Sequence, residues 1–160
     1  MELDEMTIAE IKRVVREKEI HTLWFEAHYM YRHKLETFAQ QFEGVAVKFR
    51  CGVESFDGQL REYWNKGIAA NVTVEDVAKY FQGVCLLCCT KGESKERILQ
   101  DIELAEQYFE YASVNIFCEN TTTVEQDEQL VKWFIEDIYP TLKQSKKIEI
   151  LIDNTDLGVG

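Results

Sequence analysis

The chain has 160 residues, of which 46% are hydrophobic and only one is proline, and this composition predicts one folded domain over residues 1–160. Its formal net charge of −11 argues against nucleic acids and anionic membrane surfaces as partners, because both attract clustered Lys and Arg. No apolar run approaches the roughly 20 residues that are needed to span a bilayer.

Helices and strands are predicted to alternate from the start of the chain. A capping-box pattern over Thr7–Glu10, followed by apolar residues at helical spacing, predicts a first helix. Ile20–Ala27 is rich in β-branched and aromatic residues and is predicted to be a strand. Tyr29–Phe42 then shows the apolar spacing of a helix. These elements together predict a helix, a strand and a second helix.

The central part of the chain begins with a second strand, predicted over Val45–Val53. Glu54 stands where this strand ends, and Asp57 is placed to cap a short helix. The apolar side of that helix is predicted to contain Leu60, Tyr63 and Trp64. Lys66–Gly67 supplies the cation and the glycine that are typical of a helix end.

The second half of the chain repeats the same alternation. Thr73–Asp76 opens a short helix, and Gly83 introduces the apolar run VCLLCC, which is typical of a strand buried on both faces. A helix beginning near Ser94 buries a stripe formed by Ile98, Ile102, Ala105 and Phe109. Ala112–Cys118 is predicted to be the fourth strand.

The last helix and strand complete the pattern. Thr123 and Gln126 form a second capping-box pattern. The core face of the following helix is predicted to contain Leu130, Val131, Phe134 and Ile138. Lys147–Ile152 is predicted to be the fifth strand. Repeated strand–helix alternation predicts an α/β fold with a parallel sheet covered by helices.

Polar side chains stand at the carboxyl ends of most predicted strands. They are Glu26 and His28, Arg50 and Glu54, Thr90 and Lys91, Glu119 and Asn120, and Asp153 and Asn154. In parallel βα folds these ends meet at one rim, where ligands bind, so we expect a site for a small polar molecule there. Glu26 interrupts an apolar strand and needs a cation, which Arg50 on the neighbouring strand can provide. A purely structural ion pair is the alternative interpretation.

No metal site is predicted from the histidines or cysteines. His28 and His33 are five residues apart, which does not place them on one helical face. The five cysteines, an odd number in a chain with an acidic and polar start, indicate reduced thiols and a cytoplasmic location. All five fall in predicted strands, where core packing is the expected role: Cys51, Cys85, Cys88, Cys89 and Cys118.

The run GVESFD, followed by an amphipathic turn and NKGI, resembles the middle of the barrel in radical S-adenosylmethionine (SAM) enzymes. The stretch VCLLCCTKGESKERILQDIELA is similar to the family's fifth strand and its helix. The resemblance implies a partial, TIM-like (βα) barrel with about five parallel strands, in a family that uses SAM and a 4Fe-4S cluster. It implies that Glu54 and Arg50 contact SAM, that Glu26 faces the cavity, and that Asn120 ends the sixth strand of the parent barrel near the cofactor.

The sequence departs from the family pattern in its cluster motif. The family binds its cluster through a CxxxCxxC loop after the first strand, and this spacing does not occur in the 160 residues. The glycine-rich segment after the second strand is also missing. The resemblance therefore implies the C-terminal part of such an enzyme, as a fragment or a natural truncation. Alone it is expected to bind neither SAM nor the cluster stably, to be inactive, and to self-associate through open sheet edges.

Two other functions are open at this point. The chain could be a small cofactor-independent βα enzyme whose rim carboxylates, Glu26 and Glu54, act as general acid and base. It could instead be a non-catalytic protein-binding module whose acidic surface meets a basic partner. No catalytic residue is singled out by the sequence.

Overall fold

The computed structural model describes residues 3–119 and 121–152. Within these residues one sheet contains five strands, all of them parallel to their neighbours. The strands are β1 (Thr22–Glu26), β2 (Ala46–Glu54), β3 (Gly83–Cys88), β4 (Tyr111–Ile116) and β5 (Ile148–Leu151). Their spatial order is the same as their order along the chain.

Helical segments precede, connect and flank the strands. The α-helices are α1 (Glu5–Glu17), α2 (Leu35–Ala39), α3 (Gly58–Tyr63), α4 (Val74–Ala78), α5 (Lys95–Tyr108), α6 (Glu128–Trp133) and α7 (Tyr139–Leu142). A 3₁₀ segment over Tyr29–Lys34 precedes α2, and a π-helical turn over Phe134–Ile138 joins α6 to α7. No helix among the described residues is both long enough and apolar enough to cross a bilayer.

The sequential strand order decides the shape of the molecule. Right-handed crossovers between successive parallel strands place every connecting helix on the same face of the sheet. The sheet therefore curls into a half-barrel, with helices outside and the opposite face lining the interior. The predicted partial (βα) barrel with five parallel strands is confirmed.

The hydrophobic core lies between the outer face of the sheet and the helices. β2 contributes Phe49, Cys51 and Val53, and β3 contributes Val84, Leu86 and Cys88, all of them nearly inaccessible to solvent. The predicted stripe of α5 packs against them, since Ile98, Ile102, Ala105 and Phe109 are all buried. Burial of this apolar surface is the main stabilising contribution to the half-barrel.

Two helix starts differ from the sequence prediction. The N-cap of α1 is Asp4, whose Oδ1 accepts from the backbone N–H of Thr7 at 2.8 Å, so Thr7 lies inside the helix. The N-cap of α6 is Asp127 rather than Thr123. In both cases an aspartate stands within a turn of the predicted cap, and its ionised carboxylate is the stronger acceptor for the first helical N–H groups.

Three further expectations about the middle of the chain are wrong. Tyr29–Phe42 is a 3₁₀ segment followed by the short α2, not one helix. In α3 the side chain of Tyr63 is 63% exposed, whereas Arg61 is fully buried. All five cysteines are free, as expected, but Cys89 and Cys118 lie just beyond their strands. Cys89 has a left-handed φ of 68°, which an extended strand cannot contain.

Candidate functional site

The inner face of the half-barrel is polar, in contrast to the apolar outer face. Along β1 and β2 the side chains alternate, so that Trp24, Glu26 and Arg50 face the interior while Phe25 and Phe49 pack outward. Arg50 is the direct neighbour of Glu26 in the parallel register. Because helices cover only the outer face, this polar surface is available to a ligand.

Glu26 and Arg50 form the predicted ion pair on this face. Arg50 Nη2 lies 3.1 Å from Glu26 Oε2, and the two side chains are 35% and 52% exposed, respectively. Cys85 on β3 approaches the same carboxylate, with its Sγ 3.7 Å from Glu26 Oε2. Burial raises the pKa of the Cys85 thiol to about 12, so the thiol stays protonated and can donate to the carboxylate.

Glu54 is the last residue of β2 and has a strained backbone. Its φ is 66°, in the left-handed region that costs a non-glycine residue free energy. The register between β2 and β3 shifts between Gly52 and Glu54, and the Glu54 carboxylate lies on the inner face beside Gly52. Its Oε1 lies 3.2 Å from Lys66 Nζ. Burial raises the pKa of Glu54, and the charge of Lys66 opposes that effect.

The turn that carries Lys66 is fixed by His28, for which the sequence predicted only a position at the end of the first strand. His28 follows β1, and its Nε2 lies 2.7 Å from the Lys66 carbonyl oxygen. Its Nδ1 accepts from the backbone N–H of Met30, which makes the Nε2–H the donor to Lys66. Gly67 has a φ of 65° and lies against the imidazole. His28 therefore links the end of β1 to the turn that follows α3.

Arg61 holds the segment that follows β2 in place. Its guanidinium donates to the carbonyl oxygens of Ser55 at 3.0 Å, Ala69 at 3.1 Å and Val72 at 2.7 Å. The Ser55 hydroxyl in turn donates to Asp101 on α5 at 2.5 Å. These bonds fix the peptide directly after the strand end, and with it the position of the last β2 side chain.

A second polar group lies at the rim, after β3. Glu93 Oε2 accepts from the backbone N–H of Thr90 at 2.6 Å and from its hydroxyl at 2.9 Å, around a turn in which Gly92 has a φ of 94°. Burial raises the pKa of Glu93 to about 7, although both Thr90 hydrogen bonds oppose this. This carboxyl therefore changes its protonation near neutral pH.

Neither of two cavities in the described structure is lined by the ion pairs of this site. A cavity of about 820 Å³ opens beside the ends of β3 and β4 and is lined by Lys91, Cys118, Glu119, Gln126, Asp127, Glu128 and Gln129. Another, of about 430 Å³, lies between α1 and the segment after α2, far from the strand ends. Only the first belongs to the rim at which a ligand of a parallel βα fold is expected.

The structure brings three of the four predicted site residues together. Glu26, Arg50 and Glu54 share the inner face at the carboxyl ends of β1 and β2. Asn120, as well as Asp153 and Asn154, lies outside the described residues. Lys66 was not predicted to take part, and its signal was limited to its place near a helix end. His28 was predicted to lie at the rim, but its bond to the Lys66 turn was not.

The described residues do not fit an iron–sulfur cluster. No group of three or more His, Cys, Asp or Glu side chains among them is placed to hold a metal ion. A cluster of the family type needs three thiolates on one loop, and the buried cysteines lie on β2 and on or directly after β3. The same face suits a polar organic molecule, since two carboxylates and two cations flank Gly52.

The comparisons with known proteins agree with this geometry. No protein-family model matches the chain, and no curated protein does. A solved structure, queuine lyase from Clostridium spiroforme bound to SAM and queuine, is 35% identical, with a TM-score of 0.87. The match covers 99% of this chain and 68% of that chain. An identity of this size over the whole half-barrel, together with the shared fold, shows that the chain belongs to the radical SAM enzyme family.

Proposed function

We propose that residues 1–160 form one domain, the part of a radical SAM barrel that holds SAM and a small polar substrate at the carboxyl ends of its strands. The observation that carries this proposal is the convergence of Glu26, Arg50 and Glu54 on one polar concave face. The chain is 35% identical to a queuine lyase that is bound to SAM and queuine. We therefore propose queuine as the small polar substrate.

The ligand-binding chemistry follows from the charges on this face. Glu26 and Glu54 accept hydrogen bonds from hydroxyl and amino groups of a ligand. Arg50 can donate to a carboxylate or a ring nitrogen while it stays paired with Glu26. Burial raises the pKa of Glu54, and the charge of Lys66 opposes this effect and so favours the ionised, accepting form. Asn120 lies outside the described residues, so its proposed contact with SAM is supported by the sequence resemblance alone.

Reductive cleavage of SAM needs an electron from an iron–sulfur cluster, and these 160 residues contain no CxxxCxxC motif. In our proposal these 160 residues supply the ligand-binding surface of the parent barrel but not its cluster-binding loop. The isolated chain would bind SAM weakly and would not cleave it. Its own residues contribute binding, orientation and the exclusion of water.

The test is anaerobic binding and turnover with the chain as it stands. We expect SAM and queuine to perturb the backbone resonances around residues 50–54 in ¹⁵N-resolved NMR at millimolar ligand. We expect iron and sulfide reconstitution to give no cluster absorbance. Glu54→Gln should weaken binding, whereas Glu136→Gln, at an exposed carboxylate on the outer helices, should not. Perturbation confined to other surfaces would contradict the assignment of this face.

The remaining proposals concern the environment of the chain. Reduced cysteines and an acidic composition support a cytoplasmic protein.

β1 and β5 are the edge strands of the described sheet, and each presents backbone groups that can pair with another copy. We therefore propose a homo-oligomer that forms through these edges.

A further inference from the structure

Trp24 reaches across the inner face of the half-barrel, from the first strand to the fourth. The centroid of its ring lies 5.6 Å from that of Tyr111, at an interplanar angle of 52°. β2 and β3 lie between the two strands, which would stand about 14 Å apart in a flat sheet. The two rings therefore meet over the intervening strands, and their contact depends on what those strands place beneath it.

Gly83 on β3 leaves the space in which this contact is made. It is the register partner of Arg50 on one side and of Tyr111 on the other. A Cβ added here would lie 3.0 Å from Trp24 Cζ3 and 3.0 Å from the Tyr111 carbonyl oxygen, closer than ordinary contacts. Its φ is not left-handed, so no turn geometry requires glycine at this point. The missing side chain lets one edge of the indole rest on the β3 backbone.

The indole of Trp24 is fixed in place but only partly covered. Lys48, its register partner on β2, has its Nζ 5.5 Å from the ring centroid and is ion-paired with Glu110. In spite of these neighbours, Trp24 is 40% exposed. Exposure of so much apolar surface to water is unfavourable, and a flat aromatic ligand would cover that surface by stacking on it.

Glu26 and Arg50 stand beside this exposed ring. Glu26 is two residues further along β1 on the same face, a rise of about 7 Å, which leaves room for one ring stacked on Trp24. Arg50 and Cys85 both approach Oε2 of Glu26, whereas its Oε1 has no hydrogen-bond partner among the described residues. The pair therefore presents a free carboxylate oxygen next to a guanidinium.

This arrangement of acceptor and donor favours one class of ring. A guanine-type edge carries two adjacent N–H donors and one carbonyl acceptor, which match a carboxylate and a guanidinium that stand side by side. An adenine-type edge carries one donor and one ring-nitrogen acceptor, so it forms one hydrogen bond fewer with the same two side chains.

We infer that Trp24 is a stacking platform for a purine-like ring whose guanine-type edge is hydrogen-bonded by Glu26 and Arg50. This inference rests on the proposed function, because queuine contains such a ring, a 7-deazaguanine. It assigns the base of the substrate to the middle of the half-barrel. The adenine of SAM is another flat ring of similar shape, and experiment separates the two.

The experiment compares 7-deazaguanine with 7-deazaadenine, two rings of the same shape that differ in their hydrogen-bonding edge. Each is titrated into the ¹⁵N-labelled chain, and the indole N–H resonances of the three tryptophans are followed. Trp64, which is buried, and Trp133, which packs against Phe134 on the outer helices, are internal controls. We expect only the Trp24 indole to shift, and 7-deazaguanine to bind about tenfold more tightly than 7-deazaadenine.

Two variants test the platform itself. Trp24→Phe keeps an aromatic face and should bind 7-deazaguanine within about threefold of the wild type, whereas Trp24→Leu should lose about tenfold or more. Trp133→Leu, at the end of α6, should leave the affinity unchanged. Circular dichroism establishes that each variant is folded, and the indole shift of the wild-type chain is a readout that needs no variant.

The possible results separate the inference from the proposed function. The inference fails and the proposed site stands if 7-deazaguanine shifts the backbone resonances around residues 50–54 but not the Trp24 indole. The same holds if Trp24→Leu binds as tightly as the wild type. An equal or greater affinity for 7-deazaadenine overturns the assignment of the base and gives the platform to an adenine. If queuine, SAM and both rings leave this face unperturbed, the proposed function fails together with the inference.

Discussion

Lys66 Nζ lies 3.2 Å from Glu54 Oε1, so the residue that ends β2 is paired with a residue in the turn after α3. The Glu54 side chain is only 16% exposed, and its burial alone would favour the protonated carboxyl. The Lys66 charge favours the ionised form instead. The acceptor strength of this candidate site therefore depends on a residue that lies outside the strand.

Replacement of Lys66 by methionine should destabilise the chain and do so in a pH-dependent manner. At pH 8 the buried carboxylate of Glu54 would lack its cation, and we expect a loss of about 1–3 kcal/mol in the free energy of unfolding. The pKa of Glu54 is already raised, so acidification toward pH 5 lets the carboxyl bind a proton and reduces this loss. Urea unfolding at both pH values measures the difference.

The control is Lys79→Met, which removes the exposed pair with Asp76 and should cost less than about 1 kcal/mol. The double variant with Lys66→Met and Glu54→Gln should recover part of the lost stability. An equal loss at pH 5 and pH 8 would show that Lys66 acts through packing rather than through its charge.

Arg61→Lys should be strongly destabilising although the charge is retained. The guanidinium satisfies several backbone carbonyl oxygens at once, and a lysine ammonium cannot span them. We expect a loss of about 3 kcal/mol or more, because a buried cation would be left with too few acceptors. Thermal unfolding measures it, with Arg16→Lys on the exposed side of α1 as the matched control. Similar midpoints for the two variants would contradict this role.

The raised pKa of Glu93 predicts that the free energy of unfolding falls as the pH rises toward neutrality. Its pKa is about 7 in the folded chain against 4.5 for an ordinary glutamate, so the folded state binds the proton more tightly. The contribution of Glu93 to stability is then greatest below pH 4.5 and is lost between about pH 4.5 and pH 7. The loss is on the order of 3 kcal/mol at most.

Glu93→Gln tests this assignment, because the amide oxygen can still accept from Thr90 but does not titrate. Urea unfolding between pH 4.5 and pH 7.5 should show a smaller slope for the variant than for the wild type. Glu119→Gln, at an exposed neighbour of the rim, should leave the slope unchanged. An unchanged slope in Glu93→Gln would assign the pH dependence to other buried acids.

Two glycine-to-alanine changes should differ strongly in their effect on stability. At Gly58 a Cβ would lie 2.3 Å from the Ala70 carbonyl oxygen, so the loop that packs on α3 would have to move. We expect Gly58→Ala to cost at least about 2 kcal/mol. At Gly52 the added Cβ makes only ordinary contacts, and Gly52→Ala should keep the wild-type melting temperature within a few degrees. Differential scanning calorimetry of both variants checks the contrast.

Self-association through the sheet edges predicts a mass that depends on concentration. The edges of β1 and β5 have no strand partner within the described residues. Size-exclusion chromatography with light scattering should therefore give a mass above that of the 18.8 kDa chain. A stable monomer at high concentration would show that these edges are protected by other means.

Much of the architecture followed from hydrophobic periodicity. The stripe of α5 and the apolar run of β3 each marked a buried surface, and their alternation predicted the parallel sheet. The contact between Glu26 and Arg50 also followed from sequence, because strand ends that meet at one rim bring these side chains together. Such features depend on local spacing and on rules that hold for every parallel βα fold.

The parts that sequence reasoning missed depend on the conformation of loops. The left-handed backbone of Glu54 and its pairing with Lys66 arise only when the segment after β2 folds back. Arg61 was not singled out in the sequence, and in the structure it is buried because it donates to carbonyl oxygens eight or more residues further along. The types of side chain in a sequence do not indicate which backbone carbonyl oxygens will accept hydrogen bonds from an arginine.

The sequential strand order also bears on how the chain is made. No strand has to be inserted between two that are already paired, because each one adds to the edge left by its predecessor. A growing chain that leaves the ribosome can therefore dock one βα unit after another and bury apolar residues as they emerge. Assembly in the direction of synthesis is built into the topology of this half-barrel.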